Sequence, residues 1–299
     1  MESSQTALVP LVPPPTPEPA RGEVNDWPWW TAPAALVGGL LLAAVAGLAV
    51  DLPAALFGVN ITATHLPGWL ELLDTIVQDA AFVGAAVLFA HVGGRAVSAW
   101  QFGLRPPRLR WRSTALLVLA LLVAFLIFSE IWAELLEVHT KEKLLEQLGA
   151  GEGTVLLLLS AALTCVIAPF CEEFLFRGFI YTALCNWRGP WPAAILTGLV
   201  FGGVHAGSAP AVDLVPLGAL GFALCLLYRR TGSLYPCIAA HSLNNSLAFG
   251  ALEHWGWQIP VLMVVALTLI ALLVLTLKRV GVITPPPVQT APAAVATTA

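Results

Sequence analysis

Eight stretches of 17 to 23 mostly apolar residues follow one another along this chain, and that repetition restricts its fold more than any other feature. A helix needs about 20 such residues to cross a bilayer. Within hydrocarbon the backbone can hydrogen-bond only to itself, which favours helices. The stretches lie near 32–50, 69–91, 113–133, 153–171, 191–207, 212–228, 234–251 and 257–277. Of the 299 residues, 58% are hydrophobic and only 11% charged, against roughly 25% charged in a soluble domain. The expected fold is all-α: a polytopic membrane helical bundle of about eight transmembrane helices. The fourth stretch runs on into Glu172–Trp187, so 153–187 reads as one long helix kinked at Pro169. Glu71, Asp74, Gln78 and Asp79 make the second stretch the most polar.

The segments outside these runs set boundaries and orientation. Residues 1–26 hold Pro-Pro-Pro at 13–15 and no basic-then-apolar leader, so they read as a disordered tail. The Pro-, Ala- and Thr-rich stretch 282–299 reads the same way. Between them the chain divides into N-terminal helices (27–152), a motif-bearing unit (153–250) and a last helix (251–281). With eight spans, Arg21, Arg95, Arg105, Arg108, Arg110, Arg112, Arg188, Arg229, Arg230, Lys278 and Arg279 all fall on one side. Lys141 and Lys143 fall on the other, among Glu134, Glu137, Glu142, Glu146 and Glu152. The positive-inside rule then makes both termini cytoplasmic in a multi-pass protein of the cell membrane. A net charge of −4 without a long basic tract gives no footing for a nucleic-acid partner. The five cysteines lie in or beside apolar runs without zinc-type spacing, and read as buried thiols.

Ionisable side chains at membrane depth are costly unless paired or facing a wet cavity, and they mark functional sites. Here they recur in three places: Glu172, Glu173 and Arg177; Phe201 and His205; His241 and Asn245. Residues four apart share a helix face, so Glu173 can pair with Arg177 and His241 can project with Asn245. Glu172 points about 100° away from Glu173, which lets one carboxylate be held while the other works. Arg188-Gly189-Pro190 marks a turn, and an antiparallel hairpin closing there brings Glu172 and His205 to one depth. His241 lies roughly 12 Å inside its own helix, so the groups are expected to converge in the cytoplasmic half of the bilayer, in a cavity opening to the cytoplasm. A carboxylate and a histidine in such a place suit water activation, and His241 with Asn245 can donate to an oxyanion. Glu173–Arg177 also admits a purely structural reading as a buried bridge. His65, His91, His139 and His254 receive no role, and Glu71, Asp74 and Asp79 are expected in loops or at the interface, with the lining of a polar cavity or substrate entry as the alternative. Gly218 and Gly221 are expected to let helices pack closely.

On these residues the chain resembles the type II CAAX prenyl protease and bacteriocin-processing (Abi) family of intramembrane endopeptidases. The family's Glu-Glu-x-x-x-Arg, Phe-x-x-x-His and His-x-x-x-Asn motifs fall, in order, at Glu172–Arg177, Phe201–His205 and His241–Asn245. The resemblance covers about 153–250 and includes Arg-Thr-Gly-Ser-Leu-Tyr-Pro at 230–236. It implies peptide-bond hydrolysis of a membrane-associated peptide or protein, with Glu172 and His205 activating water and His241 and Asn245 stabilising the oxyanion. Glu173, Arg177 and Phe201 would support them. Without an HExxH pair the metal-free glutamate route is favoured, and zinc held by Glu172, His205 and His241 stays as the alternative. Immunity to a bacteriocin, maturation of a secreted peptide and cleavage of a membrane-bound regulator are the open roles. A proton-coupled carrier is the competing class, because the same residue types build proton relays.

Overall fold

A chain whose backbone must satisfy its own hydrogen bonds in hydrocarbon is expected to fold into helices, and the described residues form helices and no strand. The computed structural model describes residues 26–62, 66–94, 97–136 and 153–284. Among them eight helices follow one another: α1 (Thr31–Leu56), α2 (Gly68–Ala90), α3 (Trp111–Leu135), α4 (Thr154–Arg188), α5 (Pro190–Val204), α6 (Leu214–Thr231), α7 (Leu234–Leu252) and α8 (Gln258–Arg279). Arg21, Arg95, Lys141, Lys143, His65, His139 and the acids Glu137, Glu142, Glu146 and Glu152 lie outside the described residues, as do nearly all residues of the two expected tails.

Six of the eight helices are long and apolar enough to span a membrane, so this is a multi-pass membrane protein. The other two depart for chemical reasons. α5 has 15 residues, about 22 Å of helix, which is short of a bilayer core of about 30 Å. α7 has the length but carries His241, Ser242, Asn244, Asn245 and Ser246. The outer faces of α1, α3 and α8 expose Leu41, Val45, Leu116, Leu119, Val264 and Leu272, a surface suited to lipid. The buried core is richest around α4, where Phe174, Leu175, Phe176, Phe179 and Ile180 are all enclosed.

α4 is not regular. Two π-helical turns, Leu163–Ile167 and Phe174–Tyr181, flank the short α-helical piece Ala168–Glu173 that carries both glutamates. Pro169 cannot donate a backbone hydrogen bond, and the widened turn just before it takes the place of the simple kink expected from sequence. Side chains serve the carbonyls of these turns: Ser242 donates to Cys165 O (2.6 Å), Asn245 to Thr164 O (3.0 Å) and Thr182 to Arg177 O (3.0 Å). Wide turns of this kind occur mostly at functional sites.

Between α4 and α5 the expected turn is present. Gly189 takes φ +80, a conformation open to glycine, and Pro190 starts α5. α5 and α6 then approach at glycines: a Cβ on Gly202 would fall on the Leu214 carbonyl, and one on Gly221 would lie 2.8 Å from Phe201 Cβ.

One end of the bundle is basic. The segment between α2 and α3 folds back onto it: Phe102 stacks on Phe174 with centroids 4.2 Å apart, Leu234 N donates to Gly103 O (2.8 Å), and Arg105 Nε donates to Gly232 O (2.8 Å). Trp29 stacks on Trp187, Arg229 lies over Trp191, and Lys278 lies over Tyr235. These contacts gather the starts of α1, α3, α5 and α7 with the ends of α4, α6 and α8. Arg105, Arg108, Arg110, Arg112, Arg188, Arg229, Arg230, Lys278 and Arg279 are at this end. Among the described residues, Arg177 is the only other lysine or arginine.

Candidate active site

Arg177 is buried without exposure in the middle of the bundle. A guanidinium there must be paired. Its Nη1 donates to Glu173 Oε1 (2.7 Å), its Nη2 donates to the Gly221 carbonyl (3.0 Å), and its plane lies 4.5 Å from the Phe201 ring centroid. The second bond depends on the glycine contacts that let α6 approach. Glu173, also fully buried, accepts a further bond from His241 Nδ1 (2.9 Å). The chain Arg177–Glu173–His241 therefore ties α4 to α7. Sequence reading found the first link through its four-residue spacing and missed the second, which joins residues 68 apart.

The same bond sets the tautomer of His241. Because Glu173 offers only acceptor oxygens, Nδ1 carries the proton and Nε2 points the other way. There it lies 4.0 Å from Glu172 Oε2, too long for a direct hydrogen bond and within reach of one bridging water. His205 is oriented alike: its Nδ1 donates to the Phe201 carbonyl (2.7 Å), leaving Nε2 as a lone-pair site. Phe201 stands between the two imidazoles, 5.0 Å from the His205 ring and 5.7 Å from that of His241. Asn245 gives one amide hydrogen to Thr164 O, which leaves the second for a ligand.

All four residues nominated for chemistry, Glu172, His205, His241 and Asn245, line one cavity of about 390 Å³. The supporting residues Glu173, Arg177 and Phe201 lie behind its wall, fully buried. Glu172 keeps 17% side-chain exposure where Glu173 keeps none, so the two adjacent carboxylates face different surroundings. Sequence reading preferred a loop or the interface for Asp79 and kept a polar cavity as the alternative. The structure places it in the cavity wall, 2% exposed. A signal was available: Thr75, Gln78, Asp79 and Phe82 follow helical spacing on α2 and all line the cavity.

The lining of the cavity extends away from the basic end. Its wall continues from His205 into Ala206, Ser208 and Ala209 and onto Leu217 of α6 and Leu252 of α7, all remote from the basic end. α5 starts at the basic end and runs away from it, which carries His205 to this side.

Zinc would need a cluster of donor side chains. Among the described residues no three His, Cys, Asp or Glu side chains form a group that could hold a metal ion. Glu172, His205 and His241 line the cavity without forming such a set.

Residues 154–247 match the family described as type II CAAX prenyl endopeptidase Rce1-like. The chain is also 32% identical over 81 residues to the "Putative membrane peptidase YdiL" of Bacillus subtilis (strain 168), a stretch covering 27% of this chain and 32% of that protein. The chain thus spans about a third of the length of this curated relative. No solved structure matches it.

Proposed function

We propose that this protein is an intramembrane endopeptidase that hydrolyses a peptide bond of a membrane-associated polypeptide without a metal ion. The observation that carries this reading is the convergence of Glu172, His205, His241 and Asn245 on one cavity inside an apolar bundle. The family match over all three motifs supports it.

In the proposed reaction, water sits between Glu172, His205 and the substrate carbonyl. Glu172 takes its proton as the oxygen attacks, and His205 Nε2 orients the water. The oxyanion that forms is met by the Asn245 amide and by His241, whose Nε2 borrows the proton from Glu172 through one bridging water and returns it as the intermediate collapses, beside the Glu173 carboxylate. Arg177 holds Glu173 in place. No step needs a Lewis acid.

The basic end is proposed to be cytoplasmic by the positive-inside rule, which makes the cavity accessible from the opposite face. Its substrates are then polypeptide segments exposed at, or drawn in from, the non-cytoplasmic leaflet. A carrier function gains support from no particular feature of the site.

The test compares the membrane peptides of cells expressing the wild type or Glu172→Gln. The amide is isosteric but cannot accept the proton, so cleavage products should fall by about 10²-fold or more at equal protein level. Equal products from both would sink the reading. Chelation separates the two chemistries: purified wild type should keep its activity in strong chelator and hold far less than one equivalent of metal. Stoichiometric zinc lost together with activity would favour the alternative.

A further inference from the structure

The cavity contains a carboxyl group that the three motifs do not include. Asp79 of α2 lies outside the family-matching segment, is 2% exposed, and lines the same cavity as Glu172. α2 packs directly on the Ala168–Glu173 piece of α4, which brings the two carboxyl groups to one cavity. Each has a buried oxygen without a hydrogen-bond partner, Asp79 Oδ2 and Glu172 Oε2. Among the described residues no lysine or arginine lines the cavity, and Arg177 is committed to Glu173 and Gly221. The other polar groups around Asp79 are Gln78 and Thr75 on its own helix, Cys171 and Thr164 on α4, and His205, His241, Asn244 and Asn245 across the cavity.

Two carboxyl groups on one cavity inside an apolar bundle, with no described lysine or arginine beside them, resist carrying two charges at once, and close pairs of this kind share one proton. An unpaired aspartate buried for no purpose would instead be a continuing cost to the fold. We propose that Asp79 is a further catalytic residue of this cavity, the acid that protonates the leaving amine nitrogen while Glu172 takes the proton of the attacking water. This rests on the peptidase reading above.

The balance closes without another reactant. The water oxygen bonds to the carbonyl carbon, and its proton moves to Glu172. The carbon–nitrogen bond then breaks as the Asp79 proton passes to the nitrogen. The proton on Glu172 crosses to Asp79 and restores the starting pair. One water is consumed, and a carboxylic acid and an amine leave.

The pair can be examined with or without turnover. Infrared spectra of the purified full-length protein in lipid nanodiscs at neutral pH should show a carboxylic-acid C=O band that disappears in Asp79→Asn. Membranes of the expressing cells, incubated with each purified form, should release peptides about 10²-fold more slowly with Asp79→Asn. The rate with wild type should fall at high pH as the acid loses its proton, and that fall should be missing from the residual activity of the variant. Asp79→Glu retains an acid and should recover part of the rate, which keeps the test valid if the asparagine variant folds poorly. No Asp79-dependent band, or wild-type release with an unchanged pH profile in Asp79→Asn, overturns the proposal. If wild type and Glu172→Gln release the same peptides, the peptidase reading fails, and the acid role of Asp79 falls with it even where the band is present.

Discussion

Glu173 is the residue on which the polar centre turns, since one of its oxygens receives both Arg177 and His241. Removing the arginine leaves that carboxylate buried with an imidazole as its only partner. Arg177→Ala should therefore cost about 3–5 kcal/mol, seen as a lower melting temperature in detergent and a lower folded yield. Arg177→Lys should fall between, because an ammonium cannot span Glu173 and the Gly221 carbonyl with a planar fork. A wild-type melt for Arg177→Ala would remove the network from any account of stability. Asn245→Ala is expected to differ, with activity down about 10²–10³-fold and folding largely retained, because its bonds are two neutral ones, to Thr164 O and from Asn244. Folding loss equal to that of Arg177→Ala would make Asn245 a strut and not a donor. The sequence discloses these residues because four-residue spacing is local geometry. It does not disclose the Glu173–His241 bond, which depends on how separate helices dock.

At the scale of elements, the long apolar runs were legible for the reason that hydrocarbon leaves a backbone no other choice. The short α5 and the polar α7 were placed correctly from sequence, although neither has both the length and the apolarity of a spanning helix. The π-helical turns of α4 were not legible, because what favours them is α7: Asn245 and Ser242 take up the carbonyls of Thr164 and Cys165. The docked Trp100–Pro107 segment escaped notice because loops carry no periodicity to read. Neighbouring glycines on α5 offer a controlled test of packing. Gly202→Ala drives a methyl into the Leu214 carbonyl and should destabilise by about 1–3 kcal/mol. Gly203→Ala meets nothing within 4 Å and should be neutral or stabilising by up to about 1 kcal/mol, the helix-propensity gain. Equal melting temperatures for the two variants would show that the α5–α6 contact tolerates more separation than its geometry suggests.

For the whole molecule, the separation of charge and chemistry makes a prediction that neither makes alone. Every lysine and arginine among the described residues except Arg177 sits at the end where α1, α3, α5 and α7 begin, while the cavity wall runs to the other end through Ala206, Ser208 and Leu252. Basic residues stay on the cytoplasmic side during insertion, so the orientation that satisfies them turns the cavity outward. A single cysteine can report this once the five native ones are replaced. At Pro106, exposed in the docked loop, it should resist a membrane-impermeant thiol reagent in intact cells and react after lysis. At Asn60, between α1 and α2, and at Ala206, on the cavity wall, it should react in intact cells. Ala206→Cys also separates access from orientation, for protection there beside labelling at Asn60 would mean an outward cavity closed to small reagents. Labelling at Pro106 with protection at Asn60 and Ala206 would reverse the assignment, making the substrates cytoplasmic and requiring the arginine-rich end to have crossed the membrane against its charge.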